Sequence, residues 1–145
     1  VELAELKETD TVLEPSAGEW HIAEYIKVPQ LTIIELDFSK CEILLKKGYF
    51  PINSDFLQFK WYWWDKIIMN PPFAKSQDVK HILHAYSMLA EGWILVSVAS
   101  SSITTRSGSL YDELRSLNPE IIELPAESFR ESGTLVNTLI IKLTK

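Results

Sequence analysis

The chain has 145 residues, of which 46% are hydrophobic and 23% charged, a balance typical of one folded domain. Its formal net charge of -6, from 14 Lys and Arg against 20 Asp and Glu, argues against tight sequence-independent nucleic-acid binding by this chain alone. A single cysteine, Cys41, excludes an internal disulfide framework and favours a reducing, cytoplasmic location, and no apolar run approaches the length of a membrane span.

Short β-branched runs alternate with helical patterns along the chain. In chain order the patterns predict a strand at 11–14, a helix at 20–26, a strand at 31–36, a helix at 38–47, a weaker strand at 52–56, a strand at 66–69, a helix capped by Ser76 and ended by Gly92, a strand at 93–99, a helix at 109–117, and strands at 120–124 and 138–143. The alternation predicts a doubly wound α/β sheet with helices on both faces. The last two strands, with no helix between them, predict a closing hairpin.

Ligands of such sheets bind at the carboxyl ends of the strands, so the loop after the first strand is a candidate site. It reads Glu14-Pro15-Ser16-Ala17-Gly18, and its small residues let a ligand approach the backbone closely. A tight turn without a ligand explains the same residues about as well. The loop is not G-x-G-x-x-G, and no G-K-[ST] follows, which disfavours dinucleotides and nucleoside triphosphates.

Acidic residues end the next two strands, at Glu35-Leu36-Asp37 and at Asp55-Phe56. Glu35 or Asp37 can accept hydrogen bonds from both ribose hydroxyls of a nucleoside. We favour Glu35, because Asp37 precedes a predicted helix and can simply cap it. Asp55 can accept a hydrogen bond from an adenine amino group, with Phe56 packing on the ring, although a phenylalanine here is more often part of the core.

The fourth predicted strand stops at Asn70-Pro71-Pro72-Phe73. Taken together and in this order, "VLEPSAG", "IIELD", "SDFLQF" and "DKIIMNPPF" resemble the class I S-adenosylmethionine-dependent N6-adenine DNA methyltransferases, especially the small enzymes of phages and prophages. The resemblance covers nearly the whole chain, and the N-P-P-F motif is its most specific element. The alternative, a strand that merely ends in a loop, is disfavoured by the buried run before the motif and by the first loop in register with it.

The resemblance implies a Rossmann-like sheet of order 3-2-1-4-5-7-6 with strand 7 antiparallel. It also implies S-adenosylmethionine as cofactor: residues 14–18 would hold its methionine part, Glu35 its ribose and Asp55 with Phe56 its adenine. Residues 70–73 would grip an adenine flipped out of DNA, or alternatively RNA. No metal is implied, and His81 and His84 lack the neighbouring ligands of a metal site.

The chemistry of the N-P-P-F motif suits a planar amine. Two acceptors aimed at its N–H bonds, the Asn70 side-chain oxygen and the Pro71 carbonyl, stabilise the positive charge that grows on nitrogen during attack. The prolines fix the backbone, and Phe73 offers a flat face for stacking a base. Arg106 and Arg130, in loops on the ligand side, are candidate phosphate contacts and equally ordinary surface residues.

Two departures from the family leave other functions open. Trp20 stands where the family has no large side chain, so it either fills part of the cofactor pocket or packs away on the sheet. Few residues precede the first strand and the chain begins at Val1, so we expect one catalytic domain, 1–145, whose N-terminal region is shortened and which has no target-recognition domain. The alternatives are a non-catalytic module that binds nucleic acid or a partner subunit, and a glutamine N5 methyltransferase of release factors, which has a similar loop with tyrosine as its aromatic.

Overall fold

Seven strands form one mixed sheet in the computed structural model, which describes residues 1–18, 22–61, 63–124 and 137–145. The strands are β1 (Thr11–Pro15), β2 (Gln30–Glu35), β3 (Ile52–Asn53), β4 (Trp64–Met69), β5 (Leu89–Ser100), β6 (Glu120–Glu123) and β7 (Thr138–Thr144). Their order is β3-β2-β1-β4-β5-β7-β6. β1 to β5 pair in parallel, and β7 is antiparallel to both of its neighbours. The predicted order and the C-terminal hairpin are confirmed.

Three α-helices flank the sheet: α1 (Phe38–Lys46), α2 (Gln77–Met88) and α3 (Ser109–Ser116). Short 3₁₀ turns occur at Glu2–Ala4, Ala23–Tyr25, Phe56–Gln58, Ala74–Ser76 and Ser101–Thr104. Asp37 caps α1 as expected, because its carboxylate accepts from the Ser39 amide over 2.9 Å. No helix in the described ranges is long and apolar enough to span a membrane.

The sheet separates two apolar layers, since successive strand residues point to opposite faces. Val12 and Leu13, adjacent in β1, are both fully buried, but in different cores. Leu13 packs in the layer formed with α2 and α3, whereas Val12 packs with the N-terminal turn. α1 covers the same side as Val12, where Leu44 meets Ile33 of β2. Helices therefore lie on both faces of the sheet, as predicted.

Three predicted elements differ from the structure. The helix predicted at 20–26 is wrong in its described part: only the turn Ala23–Tyr25 forms, and Ile26 is already extended, because one turn suffices to bury Ala23 and Ile26 under the sheet. Gly92 does not end α2, which stops at Met88. Gly92 instead lies within β5 with φ +80. The strand predicted at 52–56 is also too long, since Phe56 begins a 3₁₀ turn.

Candidate active site

A cleft of about 770 Å³ opens at the carboxyl ends of the central strands. This volume is in the range of small-molecule sites. The loops after β1, β2, β3 and β4 all reach it, as the position of ligand sites in parallel sheets predicts. The predicted site residues that line it are Ser16, Gly18, Glu35, Leu36, Asp55, Phe56, Asn70, Pro71, Pro72 and Phe73.

The other three residues predicted in the first loop lie beneath the cleft. Pro15 is the last residue of β1 and pairs with Ile34, and the Ala17 amide donates to the Ile34 carbonyl over 3.2 Å. Glu14 is 1% exposed, and neither carboxylate oxygen has a hydrogen-bond partner in the described part of the chain. Burial raises the pKa of Glu14 to about 8, so at neutral pH this side chain is mostly a neutral acid.

The first loop is held by two side chains from other elements. The Gly18 amide donates to Glu35 Oε2 over 2.6 Å, and Ser16 Oγ lies 3.4 Å from His81 Nδ1 on α2. Ser16 and Gly18 both have left-handed backbones, with φ +62 and +61. A glycine suits this conformation, and no heavy atom occupies the space where a Cβ at position 18 would lie. The backbone at the mouth of the cleft therefore stays open to a ligand.

Glu35 joins the first loop to the second. Its Oε1 accepts from the Asp37 amide over 2.8 Å while Oε2 accepts from Gly18, and the side chain is 6% exposed. Each carboxylate oxygen has a second lone pair, so both oxygens can still accept from ligand hydroxyls. Asp37, the alternative ribose ligand, is engaged in capping α1 through its Oδ1.

The third loop presents one carboxylate and one ring. Asp55 Oδ1 accepts from the Leu57 amide over 2.9 Å, and no described residue bonds to its Oδ2. Phe56 is only 2% exposed and packs against two imidazoles of α2, with ring centroids 5.5 Å from His81 and 4.9 Å from His84. Phe56 therefore offers the cleft a small part of its ring, while most of it belongs to the core.

The residues of the N-P-P-F motif form the wall next to these loops. Asn70 is exposed, and among the described residues neither its side-chain amide nor the Pro71 carbonyl has a hydrogen-bond partner. Pro71 is buried and Phe73 half-buried. The motif thus holds two free acceptors at the rim of the cleft, on a backbone that the prolines restrict.

His81 is a cleft residue whose place in this site was not predicted from the sequence; Lys40, Ser54, Leu57 and Gln77 also line the cleft without having been predicted. His81 is 6% exposed, contacts Ser16 and Phe56, and lines the cleft. Burial lowers its pKa, partly offset by the Asp55 carboxylate, so the neutral imidazole is favoured. The sequence feature that could have identified His81 is a polar residue on the buried face of a helix that begins at the cleft. No cluster of three or more possible metal ligands occurs in the described ranges.

The remaining predicted residues lie elsewhere. Arg106 is exposed, outside the lining of the cleft, and its guanidinium donates to the Tyr111 hydroxyl over 3.4 Å. Ser76 precedes α2 but its side chain does not cap the helix. Trp20 and Arg130 lie outside the described residues. A cofactor pocket partly filled by Trp20 and a phosphate contact of Arg130 therefore remain predictions from the sequence.

No family model matches the chain. A curated rRNA adenine N-6-methyltransferase of Enterococcus faecalis is 31% identical over 159 aligned residues, which cover 97% of this chain and 62% of that protein. The chain thus spans less than two thirds of this relative.

Solved structures show the fold. The M protein of the type I restriction enzyme EcoKI superimposes with a TM-score of 0.80 at 14% identity, covering 99% of this chain and 41% of that one. A dimethyladenosine transferase of Plasmodium falciparum superimposes with a TM-score of 0.71 at 18% identity, covering 99% and 58%. The described sheet has the class I Rossmann-like methyltransferase fold.

Proposed function

We propose that this chain transfers a methyl group from S-adenosylmethionine to the exocyclic N6 amine of an adenine in nucleic acid. The observation that carries the proposal is the pair of acceptors at Asn70 and Pro71, which face the same cleft as the acidic ends of β2 and β3. The name of the Enterococcus faecalis relative, an rRNA adenine N-6-methyltransferase, supports the same reaction.

The chemistry of the cleft fits the proposed cofactor. The open backbone at Ser16 and Gly18 leaves room for its methionine part, and both Glu35 oxygens retain a lone pair for the ribose hydroxyls. Asp55 Oδ2 offers an acceptor for the adenine amino group, beside the exposed part of Phe56. When bound, the cofactor supplies an electrophilic methyl group on a sulfonium, so the protein need not provide a nucleophile or a metal.

The target amine needs help from the protein, because its lone pair is delocalised into the adenine ring. In the proposed reaction, Asn70 Oδ1 and the Pro71 carbonyl accept hydrogen bonds from the two N–H groups of this amine. These bonds favour a pyramidal nitrogen and stabilise its growing positive charge. Pro71 and Pro72 hold these oxygens in place, so little reorganisation is needed. Phe73 stacks on the base, which must leave a helix to reach the cleft.

The proposed substrate is DNA or rRNA. The sequence resemblance favours DNA, whereas the curated relative acts on rRNA. Both present the same amine to the cleft. The net charge of -6 gives little general attraction to phosphates, so we propose that either substrate is selected with help from a partner subunit or from further protein.

The test measures transfer of labelled methyl groups from S-adenosylmethionine to unmethylated DNA and to rRNA transcripts, side by side. We expect label at N6 of adenine in one of them, and Asn70→Ala to lower the rate about 100-fold or more, as for loss of a transition-state hydrogen bond. Asn118→Gly is the matched control, because this exposed amide has a left-handed backbone and does not line the cleft. The nucleic acids are supplied at concentrations high enough to offset weak binding by this chain alone, and absence of label in both under these conditions would refute the proposal.

The same experiment separates the alternatives. A planar glutamine amide also fits two acceptors and a ring, so a release-factor peptide belongs in the assay as a third substrate. Label only in that peptide would favour the glutamine N5 reaction. Tight binding of S-adenosylmethionine or nucleic acid without transfer to any substrate would instead favour a non-catalytic module.

A further inference from the structure

The segment directly after Phe73 has an unfavourable backbone. Residues 74–76 form a 3₁₀ turn in which Lys75 (φ 55, ψ 38) and Ser76 (φ 59, ψ 28) are both left-handed. Residues with a Cβ seldom adopt this conformation, and two in succession are rarer still. Because this turn joins the N-P-P-F motif to α2, whatever holds it also sets the position of the motif.

The structure holds this turn through a side chain from α3. Ser76 Oγ lies 2.6 Å from the hydroxyl of Tyr111, which is 7% exposed in the core beneath α2. The Arg106 guanidinium donates to the same hydroxyl over 3.4 Å, so the tyrosine can accept from Arg106 and donate to Ser76. A residue 35 positions away in the sequence is therefore bonded to the strained turn.

The start of α2 is fixed independently of Tyr111. Asp78 is 2% exposed, and its Oδ2 accepts from the Ser100 amide at the end of β5 over 3.1 Å. Ser76 makes no cap to α2, so its hydroxyl is committed to Tyr111 rather than to its own helix. With α2 anchored at Asp78 and β4 in the sheet, the Ser76–Tyr111 bond constrains the stretch between them.

We propose that Tyr111 is a positioning residue for the target-base loop: its hydroxyl holds Ser76 in the left-handed conformation and thereby places the Asn70 and Pro71 acceptors at the cleft. The role in catalysis rests on the proposed function. Tyr111 itself touches neither the cofactor region nor the rim at Asn70, since it is absent from the lining of the cleft. Its loss should therefore lower the rate of transfer and spare the affinity for S-adenosylmethionine.

Three substitutions distinguish the effect of the Ser76–Tyr111 hydrogen bond from the effect of backbone strain at Ser76. Tyr111→Phe removes only the hydroxyl, and Ser76→Ala removes the other partner while keeping a Cβ in the left-handed region. Ser76→Gly also removes the bond, but glycine adopts this backbone freely. The matched control is Tyr86→Phe on α2, because the Tyr86 hydroxyl makes no hydrogen bond to a described residue.

Two measurements are made on each variant. Hydrogen exchange of the amides in 73–77, followed by mass spectrometry, should accelerate about ten-fold in Tyr111→Phe and Ser76→Ala, the factor expected for one lost hydrogen bond. The kcat of methyl transfer should fall about ten-fold or more, because small displacements of positioned groups are costly, with the Kd for S-adenosylmethionine unchanged within about two-fold. Ser76→Gly should lie between Ser76→Ala and the unaltered protein, and the double variant Tyr111→Phe, Ser76→Ala should be no worse than either single one.

Each outcome has one meaning. Exchange and kcat of Tyr111→Phe equal to those of Tyr86→Phe would overturn the proposal, as would a loss of cofactor affinity as large as the loss of kcat. If the unaltered protein methylates no nucleic acid, the proposed function fails on its own. The exchange of 73–77 then decides alone whether Tyr111 holds this loop.

Discussion

The Gly18 amide and the Glu35 carboxylate, 2.6 Å apart, tie the loop after β1 to the end of β2. Each end of this bond supports the other. Glu35 gains a backbone donor that fixes its carboxylate, and the left-handed Gly18 is held with its open side toward the cleft. Two of the proposed cofactor contacts meet at this bond. Its loss should therefore weaken cofactor binding more than binding of the target base.

Glu35→Ala should weaken the binding of S-adenosylmethionine by about 10–100-fold, the effect of losing hydrogen bonds to a charged group. The variant loses the ribose acceptor and also releases the Gly18 and Asp37 amides. Isothermal titration calorimetry measures the change. Glu42→Ala on the exposed side of α1 is the control and should bind as the unaltered protein does. Equal affinities for all three proteins would remove Glu35 from the cofactor site.

Asp55 should determine whether the base of the cofactor is recognised by its amino group. The unaltered protein should bind S-adenosylhomocysteine about 10-fold or more tightly than S-inosylhomocysteine, which lacks that group. In Asp55→Ala the preference should disappear, because the free Oδ2 acceptor is gone. The comparison of two ligands on one variant cancels any general loosening of the 3₁₀ turn that Asp55 also caps. A preference that persists in the variant would place the adenine elsewhere.

The parts of the fold that sequence predicted best are those where local and long-range requirements agree. β4 and β5 each contain a short apolar run, at 67–69 and 93–96, that is typical of a strand buried on both faces, so their type was predicted from the residues, whereas the strand order came from the family resemblance. The predicted helix end at Gly92 was wrong. Glycine often ends helices, whereas here Gly92 adopts φ +80 within β5. Leu89 fits the helical period by coincidence: it is the first residue of β5, pairs with Trp64 and is buried in the core.

In the candidate site, too, some features were predicted from the sequence and others were not. Loops that follow strands were located correctly, since the carboxyl ends of parallel strands must meet at one edge. The contacts between His81 and Ser16, and between Tyr111 and Ser76, were not predicted. Each joins residues far apart in the sequence through side-chain geometry, which periodicity does not encode. The positive φ angles of Lys75 and Ser76 were not predicted either, because neither residue type favours a left-handed backbone.

Arg106 tests the nucleic-acid side of the proposal. We expect Arg106→Gln to weaken binding to whichever nucleic acid is methylated, and to lower the slope of log affinity against log salt by about one, as for the loss of one phosphate contact. Lys27→Gln is the control, since Lys27 is exposed and bonds to the Glu24 carbonyl away from the cleft. An unchanged slope in Arg106→Gln would assign Arg106 only to its bond with Tyr111.

Glu14 should make stability fall as pH rises. Its pKa is about 8 in the folded protein against an ordinary 4.5, so between these values the folded state binds more protons than the unfolded one. Stability is then full below pH 4.5, declines by about 1.4 kcal/mol per pH unit up to about 8, and levels off above. Glu14→Gln keeps the shape without the titration, so it should match the unaltered protein at pH 4.5 and exceed it increasingly toward pH 8.

Urea unfolding at pH 5, 6.5 and 8 measures this difference. His81 acts in the opposite sense: its pKa is lowered, so its contribution is present above pH 6.5 and is lost as the pH falls. The two effects oppose each other in the unaltered protein, and subtracting its unfolding free energy from that of Glu14→Gln isolates the carboxyl. Glu113→Gln, at an exposed position on α3, should give no comparable trend. A difference for Glu14→Gln that stays constant with pH would mean that this carboxyl ionises normally despite its burial.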